Sequence, residues 1–206
     1  MTHEHPVHMD ITSPEHFDRI QLVLRLVVMI VLGWIGWSAG RFAMLLYFGL
    51  PLATAITVSS EGRDRYARDF APQLWRVLRW SFELSAYMML LTDRFPTADG
   101  DYVRADIRFT AHPTVASALS RLVMSIPSAL VLCVLWFVSS VLCVVAILFV
   151  LVGSPMPASI LGYQRGVLRW HARLVAYHAS LVDEYPPFVL ETDGGRRGDA
   201  AATLTQ

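Results

Sequence analysis

Two long apolar runs constrain the fold of this chain more than any other feature. The first extends from Ile20 to Val58 and carries charge only at Arg25 and Arg41. The second extends from Ala118 to Gly153, with Arg121 as its only charged residue. A secretory signal peptide would be shorter and would follow a basic segment, whereas the residues before the first run are acidic and histidine-rich. Both runs are therefore predicted to lie in a membrane.

The length of each run limits how many times it could cross the membrane. Straight helices over 39 and 36 residues would be about 58 and 54 Å long, against a hydrocarbon core of about 30 Å. We expect each run to fold as a hairpin of two short helices, with turns near residues 38–40 and near Ser139 and Ser140. A single long helix, tilted or kinked, is the alternative.

The distribution of charge fits the hairpins. Basic residues concentrate in the segments 59–79, 94–121 and 165–197, and short arginine-rich loops stay on the cytoplasmic side of a membrane. Hairpins place all three segments on one side, because each run then crosses an even number of times. The 17 basic residues balance 17 acidic residues, and no long basic run is present, so nucleic-acid binding is excluded as a main role.

The chain also contains an internal repeat. Residues 77–96 and 167–186 share ten identities in twenty positions at an offset of 90, and the two apolar runs share an Arg-Leu-Val sequence at 25–27 and 121–123. We predict an all-α membrane protein of two tandem repeats, each a transmembrane helical hairpin followed by an amphipathic interfacial helix. Its parts are a polar, histidine-rich tail (1–19), repeat 1 (20–97), a linker with a short strand or hairpin (98–117), repeat 2 (118–190) and a disordered tail (191–206).

The end of the second repeat carries a specific motif. An arginine–tryptophan pair is followed by a further arginine, an Ala-Tyr pair and an Asp-x-Tyr-Pro-Pro-Phe sequence: Arg169, Trp170, Arg173, Ala176, Tyr177, Asp183, Tyr185, Pro186, Pro187 and Phe188. This motif resembles an uncharacterised, mainly bacterial family of integral membrane proteins, catalogued as domain of unknown function four-three-eight-nine. The first repeat is similar, but has Glu83 and Thr97 in place of the second arginine and the second proline. The resemblance implies a multi-pass protein of a bacterial inner membrane and brings no established activity.

The motif helix of the second repeat is amphipathic. Its apolar residues recur every three or four positions, and Arg165, Arg169 and Arg173 form a stripe along another flank. This pattern is typical of a helix in the membrane interface, with arginines toward lipid phosphates. A helix packed flat on the hairpins of its own or a partner subunit is the alternative. In the first repeat Arg79 and Glu83 can neutralise each other, so the second repeat is predicted to be the contact with anionic lipid.

Residues of the two motif helices and the turns after them are the predicted lipid-interface or partner-binding set. Asp93 and Asp183 are interpreted as structural, accepting hydrogen bonds from the following turn or pairing with an arginine of their own repeat. The alternative is a proton or cation site. The turn at 185–188 is interpreted as a helix stop with an aromatic anchor. The full set is Arg79, Trp80, Tyr87, Asp93, Arg165, Arg169, Trp170, Arg173, Tyr177, Asp183 and Tyr185.

Histidines are the candidates for metal or pigment binding. Those of the N-terminal tail could bind a metal, but the tail is predicted to be disordered. His171 and His178, seven apart on one helix face, could ligate a haem or chlorin, although Ser81 and Met88 stand at the equivalent positions of the first repeat. The prediction is therefore of a protein without a metal or cofactor.

No known catalytic motif occurs in the sequence, which has no G-x-S-x-G, no glycine-rich phosphate loop and no H-E-x-x-H. We predict a non-enzymatic accessory or scaffolding subunit of a larger membrane complex, or a protein that organises lipid. Membrane lipids and other integral membrane subunits are the expected partners. A small transporter or channel, with a pathway between the two repeats, is the alternative.

Overall fold

The computed structural model describes residues 5–34, 45–96, 103–187 and 190, and these are mostly helical. Wider π-helical turns at Leu45–Gly49 and Tyr66–Phe70 lead into the second and third helices, and a short helical turn at Arg63–Arg65 lies between them. The main helices are α1 (Arg19–Trp34), α2 (Leu50–Glu61), α3 (Ala71–Met88), α4 (Val115–Val152) and α5 (Ala158–His178).

A two-stranded antiparallel ribbon joins the N-terminal segment to the linker. Strand β1 (Val7–Ile11) pairs with strand β2 (Val103–Ile107), with Val7 opposite Ile107. Alternate residues of β1, namely Val7, Met9 and Ile11, are buried, as the period of a strand requires. The predictions of an all-α fold and of a disordered N-terminal tail were therefore wrong in this segment. The short strand expected between residues 98 and 117 is present, and its partner is the N-terminal segment.

The second apolar run forms one helix, so the turn predicted at Ser139 and Ser140 was wrong. Helix α4 is continuous over 38 residues, which corresponds to about 57 Å. Its two central serines do not disturb it, because the Ser140 hydroxyl donates to the Trp136 carbonyl at 2.8 Å and Ser139 hydrogen-bonds Gln164 of α5 through both side chain and backbone. The turn expected at residues 38–40 lies outside the described residues.

Clear local signals begin and end α4. At its N-terminus Thr114 and Ser117 form a reciprocal capping box, in which each side chain accepts the backbone N–H of the other residue. At its C-terminus Gly153 has φ of 78°, and a Cβ there would lie 2.9 Å from Nη2 of Arg19. Glycine thus permits both the left-handed turn and the approach of Arg19 to the end of α4.

Helix α5 lies at the centre of the fold and is buried along nearly its whole length. It packs against α4, α3, β1 and the π-helical turn that precedes α2. Leu168, Leu174 and Val175 have no exposed surface. Because α5 also carries arginine, histidine and glutamine, its burial requires polar partners on the surrounding elements.

The outer face of α4 has the opposite character, since large apolar side chains are exposed along it. Phe137 at its middle is 69% exposed. Among the described residues, the part of α4 from Ile126 to Val152 is the one helix long and apolar enough to cross a membrane. We define the α4 outer face by its exposed residues Leu130, Val134, Phe137, Val141, Val144, Leu148 and Leu151.

Helices α3 and α5 end in the same way, 90 residues apart. The N–H of Leu91 donates to the Ala86 carbonyl at 2.9 Å, and the N–H of Leu181 donates to the Ala176 carbonyl at 3.0 Å. These bonds close a Schellman turn that needs a left-handed residue one position earlier. Leu90 and Ser180 fill that position with φ of 56° and 53° instead of the usual glycine. A non-glycine residue there costs about 1–2 kcal/mol, which other contacts must offset.

The two turns give a matched pair of substitutions. We expect Ser180→Gly to stabilise the protein by about 1 kcal/mol, because it relieves the left-handed strain and removes a buried hydroxyl that has no hydrogen-bond partner in the described part of the chain. Leu90→Gly relieves the same strain but removes a buried side chain that clusters with Ala146 and Val150, and should destabilise by about 2 kcal/mol. Denaturant unfolding of the purified protein measures both, and shifts of the same sign would contradict this account.

Candidate functional site

A buried arginine of α1 binds the C-terminal end of α3. Arg25 donates from Nε to the Tyr87 carbonyl and from Nη2 to the Thr92 carbonyl, both at 2.8 Å, and Nη2 also donates to Asp93 Oδ1 at 3.0 Å. Its guanidinium carbon lies 4.5 Å from the centre of the Tyr87 ring. Carbonyls at a helix C-terminus lack partners and carry negative partial charge, so a cation is favoured there. We call this set, Arg25, Tyr87, Thr92 and Asp93, clamp 1.

A second buried arginine binds the end of α5 through acceptors at the equivalent positions of the repeat. Arg121 of α4 donates from Nη1 to the carbonyls of Tyr177 and Val182, and from Nη2 to Asp183 Oδ1 at 2.8 Å. Its guanidinium carbon lies 4.4 Å from the centre of the Tyr177 ring. We call this set, Arg121, Tyr177, Val182 and Asp183, clamp 2.

Each aspartate of the clamps also holds the segment that enters the arginine's helix. Oδ2 of Asp93 accepts the N–H of Asp18 at 2.7 Å, and Oδ2 of Asp183 accepts the N–H of His112 at 3.1 Å. The interpretation of both aspartates as structural residues paired with an arginine is confirmed. Each aspartate therefore joins an arginine of one helix to the backbone of the segment that precedes that helix.

The arginines of the clamps, Arg25 and Arg121, were missing from the predicted set. They were interpreted only as charges within apolar runs. A signal for them exists in the sequence, because both the Arg-Leu-Val sequence of the runs and the aspartate after the motif helix occur twice. A duplicated cation and a duplicated anion, each in an apolar context, favour a pairing between them.

The arginine stripe predicted to face lipid instead faces the ribbon. Nε of Arg169 donates to the Met9 carbonyl at 3.0 Å, and Nε of Arg173 donates to the Val7 carbonyl at 3.5 Å. These two residues are 3% and 6% exposed, and Arg165 is half-buried. The prediction that Arg169 and Arg173 face lipid was wrong, because strand β1 covers them. The alternative, a helix packed against its own chain, describes α5.

The two tryptophans of the repeated motif lie in different surroundings. Trp170 on α5 is 2% exposed and its indole N–H donates to the Pro187 carbonyl at 3.0 Å. Trp80 on α3 is 49% exposed. Beside it, Arg79 pairs with Glu83 at 3.4 Å, as the sequence predicted. Burial raises the pKa of the Glu83 carboxyl, while Arg79 acts to lower it.

Histidine and tyrosine side chains form a buried cluster between α5 and the first apolar run. Tyr47 Oη and His171 Nδ1 lie 2.9 Å apart, and the Tyr47 ring meets the His178 ring edge-on. Neither ring nitrogen of His178 has a hydrogen-bond partner in the described residues. Burial lowers the pKa of His171 and of His178 to about 4, so both imidazoles are neutral near pH 7.

The remaining predicted residues belong to the packing around clamp 2. Tyr185 Oη lies 2.8 Å from the Ser128 hydroxyl of α4, and its ring meets Tyr177 edge-on. Phe188 lies outside the described residues. Within those residues no three histidine, cysteine, aspartate or glutamate side chains come together as a metal site.

Comparison with known proteins agrees with the resemblance in the second half of the chain. Residues 116–189 are similar to a protein family described as a domain of unknown function (DUF4389). The match is to a single copy and does not extend to the first half. It covers α4 from its second residue, all of α5 and all four residues of clamp 2. No curated protein and no solved structure matches the chain.

The buried contacts of Arg121 indicate that removal of its charge should lower the stability of the protein strongly. We expect Arg121→Gln to destabilise the protein by about 3 kcal/mol, because the Tyr177 and Val182 carbonyls and the Asp183 carboxylate lose the charged donor that a buried guanidinium supplies. The matched control is Arg65→Gln, which removes an exposed arginine paired with Glu61 and Asp69 and should cost less than about 1 kcal/mol. Equal losses in the two variants, measured by denaturant unfolding, would show that clamp 2 has no special role.

Proposed function

We propose that this protein is a non-enzymatic, multi-pass protein of a bacterial inner membrane and acts as an accessory or scaffolding subunit. The observation that carries the proposal is the α4 outer face, which exposes apolar side chains along a helix long enough to cross a bilayer. A core helix of a water-soluble protein would be covered by its own chain, whereas this face is open. Lipid tails or apolar helices of other membrane subunits suit such a face.

The polar interior supports a role without catalysis. Arg25 and Arg121 are engaged with carbonyls, carboxylates and aromatic rings, and Asp93 and Asp183 have both oxygens occupied. A catalytic acid, base or nucleophile must instead be able to reach a substrate. The contacts of these groups favour holding helices in place.

The recurrence of the clamps supports a protein built from two copies of one unit. In our proposal each unit joins an apolar helix with a buried arginine to a second helix that ends in a Schellman turn. The turn residues pack across the units, since Leu90 clusters with Ala146 and Val150 of α4, and the Ala179 carbonyl accepts from Thr54 of α2 at 3.3 Å. Such a paired arrangement would present two apolar helices to lipid or to partner subunits.

A transporter with a pathway between the two units is the second candidate. The buried cluster of Tyr47, His171 and His178 favours it, because neutral imidazoles inside a membrane protein can relay protons. Proton flux into vesicles containing the protein, abolished by His178→Phe without loss of folding, would support transport. Absence of flux from the unaltered protein would exclude it.

Substitutions at two exposed phenylalanines test the membrane placement. Phe137→Arg puts a charge at the middle of the α4 outer face and should cost about 3 kcal/mol of insertion, so that the variant is lost from the membrane fraction. Phe109→Arg, at an exposed position after β2, should remain in membranes after alkaline carbonate extraction, as the unaltered protein does.

The accessory role needs a further readout on the same preparations. Mild-detergent extraction of the unaltered protein should bring stoichiometric amounts of other integral membrane subunits. If Phe137→Arg inserted as well as Phe109→Arg, the α4 outer face would not lie in hydrocarbon. If the unaltered protein purified alone, the scaffold proposal would fail while the membrane placement could still hold.

A further inference from the structure

The segment that leads into α3 presents arginines without partners. Arg63, Arg68 and Arg76 are exposed and form no ion pair or hydrogen bond within the part of the chain that the structure describes. Their neighbours differ, because Arg65 pairs with Glu61 and Asp69, and Arg79 pairs with Glu83. Between residues 61 and 83, three arginines and one carboxylate, that of Asp64, thus have no ion-pair partner among the described residues.

Apolar side chains accompany these arginines on α3. Val77 is 64% exposed, and Trp80 lies one helical turn after Arg76 on the same face. Tryptophan is enriched where a protein meets the headgroup layer, since its ring prefers the hydrocarbon boundary and its N–H prefers water. The equivalent tryptophan on α5, Trp170, is buried, so the combination of arginine and tryptophan is exposed on α3 and covered on α5.

The position of this arginine-containing segment along the chain also favours contact with the headgroup layer. The first apolar run ends at Val58, and Leu52 and Ile56 just before it are exposed like the α4 outer face. Arg63 and Arg68 follow within about two to three turns. A basic segment immediately after an apolar helix lies at the depth of lipid phosphates when that helix is in a membrane.

We propose that the outer face of α3 and the turns before it, formed by Arg63, Arg68, Arg76, Val77 and Trp80, is a docking surface for anionic phospholipid headgroups. This inference rests on the proposed function, because the chain must lie in a membrane for headgroups to reach the surface. The lipid contact predicted from the sequence for α5, where β1 covers Arg169 and Arg173, is thereby assigned to α3. Arginine forks bind phosphate, and Val77 and Trp80 enter the boundary beneath it.

A fluorescent label on this face tests the proposal in the full-length protein. The label is attached at Gln73→Cys, an exposed position one turn before Val77, with Cys133 and Cys143 replaced by serine. The protein is reconstituted in phosphatidylcholine vesicles with and without phosphatidylglycerol. We expect the anionic lipid to lower quenching of the label by acrylamide about threefold, because the charges draw the face into the headgroup layer.

Paired variants separate the effect of the arginine charges on this face from the effect of removing arginines elsewhere. Arg68→Gln with Arg76→Gln should abolish the effect of phosphatidylglycerol, whereas the two lysine substitutions should retain it, since lysine keeps the charge. The matched control removes two exposed arginines of the ribbon region, Arg104→Gln with Arg108→Gln, and should leave the effect unchanged. An equal loss in the control variant would overturn the proposal.

Other outcomes distinguish this inference from the proposed function. Quenching that is the same with and without phosphatidylglycerol, in protein that resists carbonate extraction, would overturn the lipid surface and leave the membrane placement intact. Release of the protein by carbonate would overturn both. Protection of the label in native membranes but not in either vesicle would assign the face to a protein partner and would also overturn the lipid surface.

Discussion

The two buried arginines are the interactions on which the fold depends. An unpaired charge in such apolar surroundings would cost several kcal/mol, and each arginine is held instead by a carbonyl of the last helical turn, a carbonyl beyond that turn, a carboxylate and a tyrosine ring. The carbonyls of Tyr87 and Tyr177, which also accept a backbone N–H within the turn, thereby gain a charged donor at a helix end where a cation is favoured. They also fix α1 to the end of α3, and α4 to the end of α5, across gaps of more than fifty residues. Without them the left-handed turns at Leu90 and Ser180 would have less to offset their strain.

Around the clamps, charged and polar side chains are buried on α5 while large apolar side chains are exposed on α4. Helix α5 carries arginines, histidines and a glutamine but lies at the centre, where β1 carbonyls and Ser139 provide partners. Helix α4 carries Arg121 as its one charged residue and exposes a continuous apolar face. Buried polar groups held by hydrogen bonds and an exposed apolar helix face are features that a hydrocarbon environment favours.

Part of this arrangement follows from the sequence. The apolar runs, the motif helices at 77–96 and 167–186, and the structural role of Asp93 and Asp183 could be predicted because each depends on local pattern or on a repeated residue. The burial of α5 could not, because it depends on a five-residue strand formed by the N-terminal segment and paired with a strand about a hundred residues away. The continuity of α4 was missed because Ser139 and Ser140 suggest a turn until their hydrogen bonds are known. The burial of α5 and the partner of Ser139 both depend on contacts between residues far apart in the sequence.

We propose that the outer face of α4 lies in hydrocarbon while clamp 2 holds its other side. Nitroxide labels placed singly at Leu130, Phe137 and Val144, in protein with Cys133 and Cys143 replaced and reconstituted in vesicles, test it directly. The account predicts high collision rates with oxygen and low rates with a water-soluble nickel complex at all three positions, with the largest contrast at Phe137. Nickel collisions that equal or exceed oxygen collisions along the helix would contradict it.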